Sequence, residues 1–494
     1  MKFAKCLLDD YLLSEQGHKL FRFFENFRDN FLNHRDTFCK IVDSFLDLAM
    51  AEWYYSEKST FRPDIDWKKY HFDQLEDFIS KCSLPQIPDK DDAHNELCCL
   101  PFDSVSFFIN APEFSFPYLF PEHYCKFAEI CEIFEIPLPP IPARTRYIER
   151  YNFYFSLCRA LFDFRKRHAL SPLELCVFLY GFAPRFLQKY VRDELPDANR
   201  IYIVGATPDD AKTFESLQLD DLRLWQGNED MLPGDIVLMY ETAPYSRLGS
   251  IWRAVSAGYD DPFCYYPGKI FLGYPVKIPD ILFSELAQDP VWSKKGLVSA
   301  HMQGVNGRLC SSQEYEQVIR IAKKKNKCLL KPLDLSHLPR LAKYSQSYHD
   351  DLVNERDIEE KLLEPFLKQI GYRETEWKRQ LPIRMGRGFR YYPDYAIHVG
   401  KNNEAAEFIW EAKYRIPSQR QLQEDFLQAK SYALRLQCKG LGLVSQEGIW
   451  ISSNETHFDF EKKRFSSWDE LSDPDTFAEI KNVIWQLCNP SRHK

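Results

Sequence analysis

The sequence predicts a multidomain α+β protein with a helical N-terminal domain, a central β barrel and a C-terminal α/β domain. Three observations lead to this prediction. Apolar residues recur every three or four positions over the first third of the chain. Short runs rich in β-branched residues begin near residue 198, and helical and strand-like segments alternate after residue 351. We therefore expect domains at 1–197, 198–325 and 351–494, with 326–350 as a linker.

Composition favours an intracellular protein with sizeable cores. Of the 494 residues 45% are hydrophobic, yet no apolar run reaches the roughly 18 residues of a membrane span. The N-terminal "MKFAKCLLDDYLLSEQ" has charges inside its apolar stretch and lacks a signal-peptide cleavage site. The 14 cysteines show neither CxxC pairs nor zinc-like spacing, so we expect reduced, buried thiols and a cytoplasmic protein. The net charge of -8 argues against a wholly basic surface but leaves room for a local basic patch.

The N-terminal domain is predicted to be mostly helical. Its clearest segment is "LFRFFENFRDNFLNHRDTFCKIVDSFLDLAM", in which Phe21, Phe24, Phe27 and Phe31 recur at helical spacing. Such an aromatic stripe could stack on bases, but core packing is the commoner use. The pattern assigns this domain no role.

The central region reads as a compact, mixed β barrel over 198–325. Its strand-like runs are "RIYIVGA", "GDIVLMYET", "LGSIWRAVSAGY" and "KIFLGYPVKI", and Pro233-Gly234 predicts a turn before the second run. The stretch from "LRLWQG" to "YDDPF" resembles the EVE-type members of the PUA-like barrels, with Trp225, Gly234-Asp235, Tyr240 and Asp261-Pro262 in matching order.

That resemblance implies a pocket that recognises a modified base. A flipped base needs aromatic walls and a few polar groups at its edge. Trp225, Tyr240 and Trp252 are the candidate walls, and Gln303 and Asn306 are candidate polar contacts. The alternative is that these aromatic side chains fill the core of a small barrel.

The C-terminal region places ionisable residues at the ends of predicted strands. In "AEFIWEAKY" strand alternation sends Glu411 and Lys413 to one side, and Asp394 follows Pro393 in the neighbouring "RYYPDYAIHV". The preceding amphipathic helix, "NERDIEEKLLEPFLKQIGY", carries Glu355 and Glu359 one turn apart. Carboxylates from adjacent strands supply the oxygen ligands that Mg²⁺ prefers, while a lysine can orient or deprotonate a water and offset phosphate charge.

This set resembles the PD-(D/E)xK nuclease superfamily, and most closely the nuclease domain of type I restriction enzyme R subunits. The segments "ERDIEEKLLEPFLKQIGY", "YPDYAI", "FIWEAKY" and "QAKSYA" carry the resemblance. It implies a C-terminal restriction-endonuclease-like fold that binds Mg²⁺, with Mn²⁺ as a substitute, through Asp394 and Glu411. It also implies a catalytic lysine at Lys413, an accessory acid at Glu359 with Glu355 behind it, and a substrate-positioning Gln428. No phosphate-binding G-x-x-x-x-G-K-[ST] motif is present, so an ATP-driven translocase is not expected.

A basic segment, "KRQLPIRMGRGFR" over 378–390, lies just before the acidic site. Arg379, Arg384, Arg387 and Arg390 are the candidate contacts to the DNA backbone. The alternative is an ordinary solvated charged loop.

Together these patterns predict a modification-dependent restriction endonuclease that acts on DNA in anti-phage defence. Cutting both strands with one site per chain implies a homodimer, with nicking as the alternative. A second hypothesis is a non-catalytic nucleic-acid or nucleotide sensor that uses the nuclease fold as a scaffold. A third keeps the nuclease but gives the barrel another ligand, such as a nucleotide or an RNA base.

Overall fold

The computed structural model describes residues 3–29, 72–85, 90–187, 195–264, 266–345, 352–384 and 390–488. The chain forms two compact units, one comprising 1–195, 220–233 and 254–274 and the other 196–219, 234–253 and 275–494. Helices and strands occur in both, which confirms a multidomain α+β protein; the predicted domain boundaries stay predictions. No helix within the described ranges is long and apolar enough to cross a membrane. Phe31 and Arg387 lie outside the described residues.

The first unit is built mainly from helices around an aromatic core. Side-chain caps start two of them: Ser14 accepts a hydrogen bond from the Gly17 N–H, and Ser171 forms a reciprocal capping box with Glu174. Phe24 and Phe27 are 2% and 3% exposed, so the aromatic stripe serves core packing there. The helices are α1 (Lys5–Leu13), α2 (Glu15–Glu25), α3 (Leu75–Cys82), α4 (Lys90–Asn110), α5 (Tyr124–Ile133), α6 (Tyr147–Arg167) and α7 (Pro172–Val177), the last continuing into a π turn at Phe178–Phe182.

The described residues of the two units form fifteen strands. They are β1 (Ile201–Ala206), β2 (Arg223–Gln226), β3 (Ile236–Glu241), β4 (Arg247–Ala254), β5 (Tyr259–Asp260), β6 (Gly268–Leu282), β7 (Arg308–Cys310), β8 (Trp377–Arg379), β9 (Ile383–Arg384), β10 (Arg390–Tyr391), β11 (Tyr395–Ile397), β12 (Phe408–Ala412), β13 (Gly440–Ser445), β14 (Gly448–Ser453) and β15 (Arg464–Ser467).

Within the first unit, β2 and β5 pair antiparallel with the beginning of β6. Buried ionic contacts fix this small sheet to the helices. The guanidinium of Arg150 on α6 is 2.6 Å from the Asp260 carboxylate, and Lys269 is 2.6 Å from Glu122. Asp261 accepts hydrogen bonds from the backbone N–H groups of Phe263 and Tyr124.

The second unit contains a mixed sheet in which β1 runs parallel to β3. β7 pairs antiparallel with the other side of β1, and β4 pairs antiparallel with the other side of β3. One face of this sheet, including Ile236, Leu238 and Tyr240, packs on α11 through Tyr315 and Val318. The helices associated with this part are α8 (Pro208–Thr213), α9 (Phe283–Gln288), α10 (Gly296–Ser299) and α11 (Ser312–Asn326).

A second sheet in the same unit has the order β15-β14-β13-β12-β11-β8 and is antiparallel except for β12 and β13. Helices cover both faces. Phe408 and Trp410 of β12 pack against the helix that begins at Glu355. Ile409, on the other face, packs against α14. The helices are α12 (Glu355–Asp357), a π turn (Ile358–Leu363), α13 (Glu364–Gln369), α14 (Gln419–Arg435), α15 (Trp468–Leu471) and α16 (Pro474–Cys488).

The first of these helices has the predicted apolar face. Asn354 caps its start, and Gly371 follows its end with a φ of 105° that suits glycine. Six residues of the face are fully buried, which confirms the prediction: Ile358, Leu362, Leu363, Phe366, Leu367 and Ile370.

Candidate active site

The sheet places Asp394 and Glu411 on one face at the ends of neighbouring strands. Tyr395 pairs with Trp410, so Asp394 lies across from Glu411 in the antiparallel register of β11 and β12. Strand alternation directs both side chains toward the layer of α14, like those of Ala396 and Ile409, the next cross-strand pair on that face. The Asp394 Oδ2 accepts a 2.8 Å hydrogen bond from the Ala412 N–H. This bond fixes the Asp394 carboxylate to β12, the strand that carries Glu411.

Glu411 is the most enclosed of the site carboxylates, at 3% exposure. Its Oε1 accepts hydrogen bonds from Gln428 Nε2 at 3.1 Å and from Lys413 Nζ at 3.3 Å. Its Oε2 is buried and has no hydrogen-bond partner among the described residues. Burial, and then the negative charge of Asp394, raise the pKa of Glu411 to about 7.

Asp394 is oriented by a residue that sequence analysis missed. Gln380 donates from Nε2 to the Asp394 Oδ1 at 2.9 Å, and its backbone N–H donates to the Asp394 carbonyl at 2.9 Å. Gln380 has a φ of 47°, a left-handed conformation that a glutamine rarely adopts. Burial raises the pKa of Asp394, although the Ala412 N–H and the Lys413 charge oppose the rise.

Lys413 bridges the acidic groups. Its Nζ is 3.3 Å from Glu411, 3.0 Å from the Ala412 carbonyl and 3.9 Å from Glu355 Oε1. Burial lowers the pKa of Lys413, but the negative charges of Glu411, Glu355 and Asp394 together raise it above the usual value. The lysine is therefore an ammonium ion near neutral pH. The contact between Glu411 and Lys413 agrees with the same-side placement expected from strand alternation.

Gln428 joins the site from α14, which Ser418 caps. One amide nitrogen donates to both Glu411 and the Tyr432 hydroxyl, the latter at 3.0 Å. The structure thus gives Gln428 a contact with a carboxylate, and its role in positioning substrate stays a prediction.

Glu359 reaches the site from the opposite helix layer and is held by Arg379. Its Oε2 is 2.7 Å from the Arg379 Nη2, and the same guanidinium lies 3.3 Å from Glu364 and 3.6 Å from Glu360. Burial raises the pKa of Glu359. The hydrogen bond from Arg379 lowers this pKa, and the negative charge of Asp394 raises it further. Glu359 sits in the π turn, a helix distortion that is frequent at functional sites.

The two helix acids contact different partners, and the choice of Glu359 as the accessory acid stays a prediction. Glu355, expected behind Glu359, is the one within 4 Å of the Lys413 ammonium, whereas the carboxylate of Glu359 is paired with Arg379. Arg379 itself is largely engaged by carboxylates and lies 5.4 Å from the centre of the Tyr395 ring. Its expected contact with DNA would require it to exchange one of these partners.

Arg384 and Arg390 lie opposite each other on the two-stranded ribbon of β9 and β10. Both are exposed, and neither forms an ion pair with a carboxylate of the described residues. Arg387, the fourth candidate, lies outside those residues. Arg384 and Arg390 thus present positive charge that no carboxylate of the described residues pairs with.

The candidate base-pocket residues do not share one wall. Tyr240 belongs to the face of the sheet that packs on α11, whereas Trp252 pairs with Val237 on the other face. Trp252 is 1% exposed, donates to Ser250 Oγ at 2.9 Å and packs on Phe214. A pocket lined by both residues, as expected from sequence, does not fit this strand geometry. Trp225 lies half-buried on β2 of the first unit, and base recognition by the barrel stays a prediction.

The donor set allows a test of whether Mg²⁺ fits. Within the described part of the chain no three or more His, Cys, Asp or Glu side chains converge as a metal cluster. The two predicted ligands, Asp394 and Glu411, are carboxylates, and the buried Glu411 Oε2 lacks a partner. Oxygen donors from one or two carboxylates, completed by water, are typical of Mg²⁺. The residues present therefore fit this ion.

Comparison with known proteins adds little. No family model and no curated protein matches the chain. Two small solved structures resemble part of it. The NMR structure of Rpa0253 from Rhodopseudomonas palustris has 14% identity and a TM-score of 0.21, covering 25% of this chain and 94% of that one. A crystal structure of a ZmASCH mutant protein from Zymomonas mobilis has 11% identity and a TM-score of 0.19, covering 25% and 98%. At these TM-scores neither similarity carries an argument about fold or function.

Proposed function

We propose that the C-terminal region is a metal-dependent nuclease that hydrolyses phosphodiester bonds in DNA. One observation carries the proposal: the buried Glu411 and the half-buried Asp394, from neighbouring strands, meet beside a lysine, and the Glu411 Oε2 has no hydrogen-bond partner among the described residues. Leaving a buried charged group unsatisfied costs free energy, so such an arrangement is seldom retained for stability alone. A divalent cation would satisfy the free oxygen and relieve the repulsion between Asp394 and Glu411.

Asp394 and Glu411 would hold Mg²⁺, or Mn²⁺ in its place. The ion would supply charge stabilisation at the phosphoryl oxygen as negative charge develops there. Gln380 and the Ala412 N–H keep the Asp394 carboxylate in one orientation, and Gln428 does the same for Glu411. These hydrogen bonds are in place before substrate binds, so little reorganisation is needed during the reaction.

Lys413 acts as a cation rather than as a base in this arrangement. Three carboxylates hold its pKa above the usual value, so its ammonium donates hydrogen bonds. It can orient a water for attack and offset charge on the phosphate. The first-helix acid nearest to this ammonium is Glu355.

The finer proposal is a modification-dependent endonuclease of restriction or anti-phage defence. In it the EVE-like barrel senses a modified base and the protein works as a homodimer. This part rests on sequence resemblance. Because Tyr240 and Trp252 lie on opposite faces of the sheet, one pocket cannot be lined by both, and a base pocket would need other residues.

The test is cleavage of matched plasmids, with and without modified cytosine, in Mg²⁺, Mn²⁺ or EDTA. We expect the native chain to cut in either metal and not in EDTA, and Lys413→Ala to cut at least about 100-fold more slowly. Lys439→Ala is the matched control, since Lys439 also pairs with a glutamate at a strand end of the same sheet. Equal and negligible cutting by the native chain and Lys413→Ala, with DNA binding retained, would favour the non-catalytic sensor. Equal rates on the two plasmids would exclude modified-cytosine sensing.

A further inference from the structure

An exposed tyrosine stands at the rim of the candidate active site. Tyr391 is 42% exposed, and its ring centre lies 6.2 Å from that of Tyr432. Tyr432 is 5% exposed and accepts a hydrogen bond from Gln428, which also donates to Glu411. One side of Tyr391 is thus supported by a fixed ring that belongs to the hydrogen-bond network of the site.

Tyr391 is also close to the reacting groups along the chain. Asp394 follows it three positions along the chain, which limits the distance between their Cα atoms to about 11 Å. That is about the spacing of one to two nucleotides along an extended strand. A base stacked on Tyr391 would therefore belong to a nucleotide next to the one at the carboxylates.

The same ribbon carries the uncompensated charge. Arg384 and Arg390 are direct partners in the antiparallel pairing, and Tyr391 is the next residue, opposite Ile383. Ile383 is buried and anchors the ribbon in the core that contains Tyr432. Exposed guanidinium groups therefore occupy the positions next to an exposed aromatic ring, and strand alternation directs them to the other face of the same narrow ribbon.

We propose that this ribbon binds single-stranded nucleic acid, with Tyr391 stacking on an unpaired base and Arg384 and Arg390 contacting the adjacent phosphates. Proteins that bind single strands combine aromatic platforms with positively charged tracks. A duplex offers only phosphates to such a surface, because its base faces are stacked on one another. The inference deepens the proposed nuclease function, on which it rests, by naming an unpaired stretch as the preferred substrate.

The experiment measures binding without turnover. A fluorescein-labelled DNA strand of about 20 nucleotides and the same strand annealed to its complement are titrated with full-length protein in EDTA, and anisotropy is recorded. We expect the single strand to bind about tenfold more tightly than the duplex. Tyr391→Ala should weaken single-strand binding about tenfold and leave duplex binding unchanged, because base stacking on one aromatic ring has this size of effect.

Two variants keep the result interpretable. Tyr391→Phe retains the ring and should bind as the native chain does. Phe465→Ala removes another exposed aromatic residue that packs on a ring, that of Trp450. Phe465 lies on β15, an edge strand of the six-stranded sheet, and its removal should have no effect. Replacing Arg384 and Arg390 by alanine should lower the salt dependence of binding for both probes.

The outcomes separate this inference from the proposed function. Equal affinity for strand and duplex, or a Tyr391→Ala variant that behaves like Phe465→Ala, would overturn the inference even if the protein cuts duplex DNA. A strand preference that depends on Tyr391, in a protein that cuts nothing in Mg²⁺ or Mn²⁺, would overturn the nuclease and leave the binding surface.

Discussion

Both units bury charged side chains, but they do so in different ways. In the first unit the Arg150 guanidinium contacts the Asp260 carboxylate and the carbonyls of Pro142 and Asp261, and both oxygens of Asp261 accept backbone hydrogen bonds. In the second unit Asp394 and Glu411 lie together with one lysine, and the Glu411 Oε2 has no partner among the described residues.

The difference separates a structural cluster from a functional one. A buried ion pair whose hydrogen-bonding capacity is filled offsets its own desolvation and holds elements together. A cluster with surplus negative charge and an open oxygen is poised to accept a cation or a proton. Burial first, and then the negative charge of Asp394, raise the pKa of Glu411 to about 7, and such perturbed groups are common at functional sites.

The largest effect should come from removing one charge at the functional cluster. We expect Glu411→Gln to lower the rate of DNA cleavage at least about 1000-fold, because a neutral amide is a poor ligand for Mg²⁺. The free energy of unfolding should stay the same or rise, since a buried carboxylate has been neutralised. Single-turnover cleavage and urea unfolding measure the two quantities. A large loss of stability would place Glu411 with the structural cluster instead.

The opposite pattern is expected in the first unit. Arg150→Ala should lower the free energy of unfolding by about 3–5 kcal/mol, because it removes a buried guanidinium with its backbone hydrogen bonds and leaves Asp260 only the more distant Arg144, at 3.8 Å. Arg159→Ala on the same helix is the matched control. Its ion pair with Glu76 is exposed, so we expect a loss below about 1 kcal/mol in urea unfolding. Equal losses in the two variants would remove the distinction between buried and exposed pairs.

The pH dependence of metal binding sharpens the comparison. Mg²⁺ needs an ionised Glu411, whose pKa is about 7 without metal, so affinity should fall by up to about tenfold per pH unit below pH 7. The sign for stability is the reverse. The folded metal-free chain holds this proton more tightly than the unfolded chain does, so stability falls as pH rises from 4.5 toward 7. Calorimetric titration and thermal unfolding check the two signs. Glu411→Gln should abolish the pH dependence of Mg²⁺ affinity and reduce that of stability, to which Asp394 and Glu359 contribute with the same sign because their pKa values are also raised.

The smallest effect concerns the residue that orients Asp394. Gln380→Gly removes the side-chain hydrogen bond to Asp394. It also relieves the strain of a left-handed backbone, which should raise the free energy of unfolding by about 1 kcal/mol. Stability should therefore change by less than about 1 kcal/mol, while cleavage slows about tenfold because Asp394 loses a fixed orientation. Urea unfolding and cleavage rates test this, and unchanged cleavage would show that the Ala412 N–H suffices.

Local patterns in the sequence predicted the parts of the site that depend on strand and helix periodicity. Alternation along β12 placed Glu411 and Lys413 on one side, and helical spacing identified the buried face from Ile358 to Ile370. The proximity of Asp394 to Glu411 was predicted because their strands follow each other in the sequence. The catalytic, metal-binding and DNA-binding roles remain predictions.

Other features depend on tertiary structure and had no local signal. Nothing in the sequence around Gln380 marks a left-handed residue, because glutamine has no preference for that region. The opposite faces of Tyr240 and Trp252 follow from the pairing of Trp252 with Val237, which lies three positions before Tyr240 on β3. The register between two strands decides which of their side chains share a face, and alternation within one strand cannot reveal it.

The π turn at Ile358–Leu363, in the helix that packs on the six-stranded sheet, determines how this site tolerates insertions and deletions. A π turn accommodates one residue more than an α-helical turn, so it shifts the phase of the helix between Glu355 and Glu364. That phase lets Glu355 reach Lys413 while Glu359 and Glu364 meet Arg379. Deleting one residue from this turn would restore a regular helix and rotate one set of acids away, so chain length here is under as much constraint as residue identity.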